Sequence, residues 1–451
     1  CGRPAHPPAA PGTSAPSTTR PPTRTPVAPP PLPTVEAEGD FSAVSTLVND
    51  DIAAHRLPGA VVQVGHGGKI VFRQAYGERK LDGEPGLDGA PAPAEPMTED
   101  TIFDLASLTK ILVTSTAVLQ LYEQDKVALD EPVQTYLPAF NAGSDPRRAR
   151  ITVRMLLTHT SGIGGDLSHQ GPWGLTAADK ADGIRRALTA PLEFDPGETF
   201  HYSDIGFIVL GTLVEKLSGE PLDVYAHDHI FAPLAMTDTR YLPAAKACGP
   251  HRIRGNAVAF DSDASEASGC PDDGWSIDML ARVAPTARDE DTPGVNPDID
   301  YSLRGTVHDP TARRMGGVAG NAGLFSTAPD LGKYAQALLD RLAGRSSTFP
   351  LKQSTVELMT TPQQPASVSG AQRGFGWDID TYLSKPRGDI FPVGSFGHSG
   401  FTGVTVWMDP GSDTYVIVLA NVIHQRGGPP IVTLSGEVAT ATARALHLYG
   451  S

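Results

Sequence analysis

Alternating and helical patterns of apolar residues divide the chain into three parts. Near the amino-terminal end a helical pattern begins at Phe41, and residues 60–65 and 70–75 alternate around a Gly-Gly pair, which predicts a β-hairpin. The last third has strand-like runs at 374–379, 403–408 and 415–421, followed by a helical pattern from about 431 to 446. Because strands lie near both termini, we expect one antiparallel sheet built from residues of about 41–100 and 320–446.

The middle of the chain, from about 101 to 242, has mainly helical periodicity. Thr152 is placed to cap a short helix, and Thr327 is placed to start a later one. Residues 205–217 are apolar all round, which is typical of a buried helix, whereas residues 243–306 lack sustained periodicity and are predicted to form a loop insertion. The expected fold class is therefore α/β, with helices flanking the sheet and a mainly helical region inserted into it.

The first 34 residues have a different composition. They hold 12 of the 41 prolines, and their only charges are Arg3, Arg20 and Arg24. This composition predicts an extended, disordered linker ahead of a folded domain of about residues 35–446. Removing the three linker charges from the net charge of −15 leaves −18 on the remainder. An acidic domain without a lysine or arginine run argues against nucleic acid as a partner.

A cysteine in first position, ahead of a proline-rich tether, looks like the start of a mature bacterial lipoprotein. The resemblance implies lipid attachment at Cys1 and a location in the bacterial cell envelope, facing the periplasm or the exterior. A fragment of a longer chain that happens to start at a cysteine would look the same. No apolar stretch reaches the roughly 18 residues that a membrane-spanning helix needs, so the lipid would be the only membrane attachment.

Cys248 and Cys270 are the other two cysteines, and they lie in one polar segment rich in glycine and aspartate. In an oxidising compartment they would form a disulfide worth about 3 kcal/mol in the chain-entropy model. Two unpaired reduced thiols are the alternative.

Ser107 and Lys110 form the one S-x-x-K pattern in the chain. At positions i and i+3 of a helix the two side chains share a face, so the amine can take the proton of the hydroxyl and make it a nucleophile. The helical period that follows places Ser107 at a helix amino terminus, where unpaired N–H groups help to hold an oxyanion. A helix cap followed by a solvated lysine would give the same pattern.

Two further segments carry candidate chemistry. Tyr202-Ser203-Asp204 precedes a predicted helix, and the glycine-rich segment His398-Ser399-Gly400-Phe401 precedes a strand. In this order the three pieces resemble the S-x-x-K, Y-x-N and K-T-G or H-[ST]-G motifs of the serine β-lactamase and penicillin-binding protein superfamily, in the branch with class C enzymes and related esterases. A similar run, His159-Thr160-Ser161-Gly162, follows a helix and is not assigned to the third motif.

The resemblance covers about residues 41–446 and implies a β-lactamase/transpeptidase-like fold that performs acyl transfer. Ser107 would attack, Lys110 would take its proton, and Tyr202 would pass a proton to the leaving group and activate water. The N–H groups of Ser107 and Phe401 would hold the oxyanion. The residues that would line the substrate site are Asp204, His308, His398, Ser399, Gly400 and Phe401.

Two residues depart from the family motifs. Asp204 replaces asparagine, so a carboxylate that pairs with Lys110 would keep the amine charged and weaken it as a base. His398 replaces lysine, so the site would lose most of a fixed positive charge at neutral pH. Efficient β-lactamase activity is therefore not expected.

The segments 304–309 and 421–424 resemble a subgroup of this superfamily associated with cell-wall recycling, which includes a muropeptide amidase. The expected function is a cell-envelope serine hydrolase that acts on amide or ester bonds of peptidoglycan-derived peptides or small esters. The alternatives are a carboxylesterase, a weak class C-like β-lactamase, a D-alanyl-D-alanine carboxypeptidase and a catalytically impaired peptidoglycan-binding relative. We predict no cofactor and no metal site, because His227-Asp228-His229 has no identifiable third ligand.

Overall fold

Antiparallel pairing joins the two ends of the chain into a central eight-stranded sheet. This computed structural model describes residues 31–264, 270–425 and 428–451, and Pro33–Ser451 forms one compact unit. The strands in the described residues are β1 Gly59–His66, β2 Lys69–Lys80, β3 Glu95–Pro96, β4 Phe103–Asp104, β5 Arg240–Tyr241, β6 Ala247–Cys248, β7 His251–Arg254, β8 Ala257–Phe260, β9 Trp275–Ser276, β10 Ala287–Arg288, β11 Ser302–Leu303, β12 Leu324–Ser326, β13 Gln372–Arg373, β14 Asp378–Asp380, β15 Phe396–Gly400, β16 Val404–Asp409 and β17 Thr414–Ala420.

In the central sheet the strand order is β13-β14-β15-β16-β17-β1-β2-β3. Strand β1 joins the amino-terminal strands to the carboxy-terminal strands, because Ala60 is opposite Tyr76 of β2 on one side and Ala420 of β17 on the other. The predicted hairpin and the prediction of an antiparallel sheet from both termini are confirmed.

The helices lie on both faces of this sheet. Their bounds in the described residues are α1 Ser42–Ala53, α2 Thr116–Glu123, α3 Val133–Tyr136, α4 Val153–Leu157, α5 Lys180–Leu188, α6 Asp204–Ser218, α7 Leu222–Ala226, α8 Pro310–Arg314, α9 Ala328–Ala343, α10 Gln353–Met359 and α11 Ile431–Ala445, with π-helical turns at Lys110–Ser115 and His227–Phe231. Among the described α-helices, three have a hydroxyl side chain as the N-cap acceptor: Thr152 for α4, Ser203 for α6 and Thr327 for α9. The two cap predictions, at Thr152 and Thr327, are therefore confirmed.

Alternation along β1 divides the core into two layers. Val61 packs in the large cluster between the sheet and the inserted helical region, whereas Val62 and Val64 pack against α1 and α11 on the opposite face. Because both faces are covered, every residue of β1 except His66 is buried. None of the helices in residues 31–264, 270–425 and 428–451 has the length and hydropathy of a membrane span.

Two sequence predictions need correction. Residues 374–377 are not a strand: the Gly374 N–H donates to the Trp377 carbonyl at 2.9 Å and Gly376 has φ +80°, so this run is the turn between β13 and β14. Residues 243–306 are not only loop, because they contain β6 to β11 and a 3₁₀ helix at Ile277–Arg282. Strands of two to four residues are too short to leave a period-2 pattern in the sequence.

Candidate active site

Ser107 lies in the turn between β4 and the helical segment that continues through the π-helical turn Lys110–Ser115 into α2. Ala106 has φ +46°, a left-handed conformation that residues other than glycine rarely adopt, and it turns the chain sharply from strand into helix. The Leu105 N–H donates to the Leu324 carbonyl of β12 at 2.8 Å. The turn before Ser107 is therefore anchored to the small sheet β4-β12-β5.

Lys110 is fully buried beneath Ser107. Its Nζ donates to Ser107 Oγ at 2.8 Å and to the Asn321 carbonyl at 3.2 Å, and lies 2.5 Å from Asp204 Oδ1. The i, i+3 spacing thus brings the amine to the hydroxyl, as the helical geometry predicts. A burial this deep also excludes the solvated-lysine alternative.

Charge at the lysine is set by its ion pair with Asp204. Burial lowers the pKa of Lys110, but the negative charge of Asp204 outweighs it and the net shift is upward. Burial raises the pKa of Asp204, but Lys110 outweighs that and the net shift is downward. The pair is therefore ionised, so the carboxylate at the asparagine position holds the lysine in its charged form.

Tyr202 is held over Lys110 by an unexpected partner. The His159 ring stacks on the Tyr202 ring with centroids 4.4 Å apart, and His159 Nδ1 accepts the Ser203 N–H at 2.9 Å. Lys110 Nζ lies 4.9 Å from the centre of the Tyr202 ring. Burial raises the pKa of Tyr202, opposed by Lys110, so the phenol is protonated at rest. The run at His159 is thus a support for the tyrosine loop.

Strand β15 forms the other wall beside Ser107. A Cβ on Gly400 would lie 2.7 Å from the Leu105 carbonyl oxygen, so glycine is needed for the strand to approach the nucleophile turn. His398 is buried in this strand, and its Nδ1 lies 2.7 Å from the Ser399 carbonyl, which makes Nδ1 the protonated nitrogen. Burial and the nearby Arg373 lower the pKa of His398 well below its usual range, so the ring is neutral.

Arg373, which the sequence interpretation missed, lies beside His398. Its Nη2 is 3.5 Å from His398 Nε2 and donates to the Gly376 carbonyl at 2.9 Å, and its guanidinium lies 5.9 Å from the Tyr202 ring centre. His398 is thus uncharged, as the motif comparison predicts, and the Arg373 guanidinium beside it is paired with the buried Asp378, whose Oδ1 lies 3.6 Å from Nη1. No motif marks Arg373, because strand pairing through β14 brings it there.

Phe401 and His308 lie at the mouth of the site. The Phe401 side chain is 73% exposed and its ring centroid is 6.0 Å from that of His308. Burial and Arg313 lower the pKa of His308 to about 4, so it is a neutral imidazole. These rings, with Ser399 and Gly400, line one side of a cavity of about 530 Å³. A larger cavity of about 1010 Å³, between α1 and α11, is lined by none of the predicted site residues.

Two more carboxyl groups surround Asp204. Asp166 forms a hydrogen bond with Asp204, and this bond, burial and the charge of Asp204 raise the pKa of Asp166 to about 7. Burial and Asp204 also raise the pKa of Asp309, which accepts from Asn321 Nδ2 at 3.2 Å. Asp309 belongs to the segment 304–309 whose family resemblance places it, with His308, at the substrate cleft, whereas nothing in the sequence around Asp166 indicates its place.

The predicted residues outside this cluster are the cysteines. Cys248 and Cys270 are joined by a disulfide with Cα atoms 5.5 Å apart, in the insertion. Cys1 lies outside the described residues. No group of three metal-ligating side chains occurs in the described part of the chain.

Comparisons with known proteins identify relatives of this chain. The β-lactamase family model matches residues 44–428. A putative D-alanyl-D-alanine carboxypeptidase of Escherichia coli (strain K12) is 30% identical over 373 residues, which cover 80% of this chain and 78% of the relative. An N-acetylmuramyl-L-alanine amidase of Bacillus subtilis (strain 168) is 32% identical over 391 residues, covering 84% and 80%.

A solved structure shares the fold. The penicillin-binding protein homologue from Caulobacter crescentus has a TM-score of 0.64 and 18% identity, and the match covers 91% of this chain and 99% of that one. At that identity the likeness shows the architecture alone.

Proposed function

The chain belongs to the β-lactamase family and is a serine hydrolase, and on this premise we propose that it cleaves amide or ester bonds through an acyl-enzyme formed on Ser107. The observation that carries the proposal is the 2.8 Å contact between Lys110 Nζ and Ser107 Oγ, made by a lysine that is fully buried. Such a pair is the nucleophile and base arrangement that acyl transfer requires.

The proposed reaction has two halves. In the first, Ser107 Oγ attacks the carbonyl carbon, its proton passes to Lys110, and Tyr202 gives a proton to the departing amine or alcohol. In the second, Tyr202 takes a proton from the water that attacks the acyl carbon, the bond between that carbon and Ser107 Oγ breaks, and Oγ regains its proton from Lys110. The backbone N–H groups of Ser107 and Phe401 are proposed to hold the oxyanion. Lys110 can accept a proton only in its neutral form, and Asp204 disfavours that form.

The proposed substrates are peptidoglycan-derived peptides, with small esters second. The two relatives are named for amide bonds of this polymer, one after N-acetylmuramyl-L-alanine and one after D-alanyl-D-alanine. The muramyl-alanine amide is our first choice, because that relative is the more similar in identity and coverage.

The experiment that tests this proposal compares wild type with Ser107→Ala on four substrates: a muramyl-L-alanine peptide, a D-alanyl-D-alanine peptide, a β-lactam and a short p-nitrophenyl ester. Ser107→Ala is expected to reduce turnover of every accepted substrate by roughly 10³-fold or more. Ser115→Ala, a buried serine in the same helical segment, is the matched control and should keep wild-type turnover. Equal rates for wild type and Ser107→Ala would rule out this nucleophile.

We also propose that the enzyme works in the bacterial cell envelope, attached through a lipid on Cys1. The disulfide between Cys248 and Cys270 supports an oxidising compartment. Metabolic labelling with a fatty-acid probe tests the attachment: wild type should take up label and Cys1→Ala should not. Equal labelling of both proteins would contradict the proposal.

A further inference from the structure

Asp104 connects three parts of the candidate site although it lies outside every motif. Its Oδ1 accepts the Ala106 N–H at 2.9 Å and its Oδ2 accepts the His308 N–H at 2.7 Å. Its backbone carbonyl accepts the hydroxyl of Thr402 at 2.9 Å. The residue is fully buried, so these contacts exclude water.

Each contact fixes a different element next to the reacting groups. Ala106 precedes Ser107 and is in the left-handed region, a strained conformation that the bond to Asp104 holds in place. Thr402 follows Phe401, the proposed oxyanion donor, and His308 lies at the mouth of the cavity. The Asp104 side chain thus ties the nucleophile turn to the His308 segment, and its backbone carbonyl ties the same strand to the end of β15.

An ionised carboxyl group suits both side-chain contacts best, because it only accepts hydrogen bonds. The two partners are backbone N–H groups, which donate, and a carboxylate offers an acceptor on each oxygen. An asparagine would accept one of them and would place its own N–H₂ donor against the other. Aspartate suits this position because both of its partners are hydrogen-bond donors, and not because of its helix or strand propensity.

The charged groups that face Asp104 are Asp309 and Arg313. Burial raises the pKa of Asp104 to about 6; Asp309 also raises it, and the N–H groups of His308 and Ala106, with Arg313, oppose the rise. Arg313 also holds the same segment, because its Nη1 donates to the His308 carbonyl at 2.7 Å.

We propose that Asp104 is a positioning residue that keeps the turn before Ser107, the end of β15 and the His308 segment in one arrangement for acyl transfer. The inference rests on the proposed role of Ser107. It predicts that loss of one acceptor at Asp104 slows the attack of Ser107 without removing the nucleophile.

The test measures p-nitrophenyl ester turnover and the rate of Ser107 labelling by a fluorophosphonate in Asp104→Asn and in a matched control. Asp330→Asn is that control, because Asp330 is also buried and accepts the Asp238 N–H at 2.9 Å and the Thr239 hydroxyl at 2.7 Å, away from the site. We expect Asp104→Asn to lower kcat and the labelling rate at least tenfold, and Asp330→Asn to change each less than twofold at comparable melting temperature.

A pH profile separates positioning from general loss of stability. In wild type and Asp330→Asn, the decline of kcat with falling pH that Lys110 imposes should become steeper below about pH 6, because protonation of Asp104 puts an O–H donor beside N–H groups that need acceptors. Asp104→Asn should keep the decline due to Lys110 but lack the steeper part. Equal kcat in the two variants, or an identical acid limb in all three proteins, would overturn the inference.

Thr402→Val serves if Asp104→Asn does not fold. It removes only the hydroxyl that donates to the Asp104 carbonyl, and we expect a two- to fivefold lower labelling rate; a wild-type rate would overturn the inference. If Ser107→Ala keeps wild-type turnover, the proposed function fails instead, so the two failures are distinguishable.

Discussion

The ion pair between Lys110 and Asp204 makes the protonation of the proposed base depend on one carboxylate. The family asparagine would hydrogen-bond without charge, whereas Asp204 lies 2.5 Å from the amine and raises its pKa. Activity that needs neutral Lys110 must therefore increase as the pH rises toward the raised pKa of the lysine.

Asp204→Asn is expected to shift this alkaline limb to lower pH. The substitution removes the charge that raises the pKa of Lys110, and one pKa unit corresponds to about 1.4 kcal/mol, or about tenfold in the neutral fraction on the limb. The measurement is kcat/KM for a p-nitrophenyl ester across the pH range. Asp223→Asn, which breaks the Lys246 pair in the insertion, is the control and should leave the limb unchanged. An unmoved limb in Asp204→Asn would contradict this account.

At the same scale, the sequence predicts residues that a motif fixes in number and order. Ser107, Lys110, Tyr202 and His398 are of this kind, and they meet in the structure. Asp166 and Arg373 are not, because each reaches the site through a pairing or loop contact between distant segments. Asp104 is close to Ser107 in sequence, but its contact with His308 joins segments 204 residues apart. For His159, the sequence shows a motif-like run but gives no sign that the ring packs against Tyr202.

At the scale of elements, α6 and the glycine-rich segment before β12 approach with no room for a side chain. A Cβ on Gly320 would lie 2.1 Å from the Phe207 carbonyl oxygen of α6. The next residue, Asn321, accepts from Lys110 through its carbonyl. This contact therefore connects helix packing to the position of the proposed base.

Gly320→Ala is expected to lower both the melting temperature and ester turnover, because the clash forces α6 and the Asn321 segment apart. Overpacking of this kind typically costs about 1–3 kcal/mol. Gly143→Ala is the control, since a Cβ there meets nothing within 4 Å. Thermal unfolding and turnover measured together provide the check, and a Gly320→Ala protein with wild-type values for both would disprove the close approach.

Long elements could be predicted from the sequence and short ones could not. The pattern before Gly219 predicts α6 well because it spans four turns, and Gly219 ends it at φ +72°. The π-helical turn Lys110–Ser115 has no sequence signature, since the buried residues on it satisfy a helical period either way. The two-residue strands of the insertion could not be predicted, because two residues are too few to show an alternating pattern.

At the scale of the whole molecule, the disulfide stabilises an insertion built from very short strands. Cys248 is in β6, which pairs in parallel with β9, while Cys270 comes shortly before β9. The crosslink therefore joins the two sides of the loop that this pairing closes.

A Cys248→Ser, Cys270→Ser double variant is expected to lose about 3 kcal/mol of unfolding free energy from loop entropy. Urea denaturation of the variant, compared with oxidised and reduced wild type, measures the loss. Reduced wild type should match the variant, and ester turnover should change little because neither cysteine lies at the site. Equal stability of all three proteins would contradict the prediction.

The pairing of β1 with β17 also has a consequence for how the enzyme forms. Ala60 and Ala420 face each other, so the centre of the sheet can close only when nearly the whole chain is available, against the closure entropy of everything between. Ser107 lies within that interval, and the Gly400 wall beside it comes from the last third. The nucleophile is thus synthesised early but receives its cleft late, and a chain interrupted before β15 would carry the reactive pair without a site for it to act in.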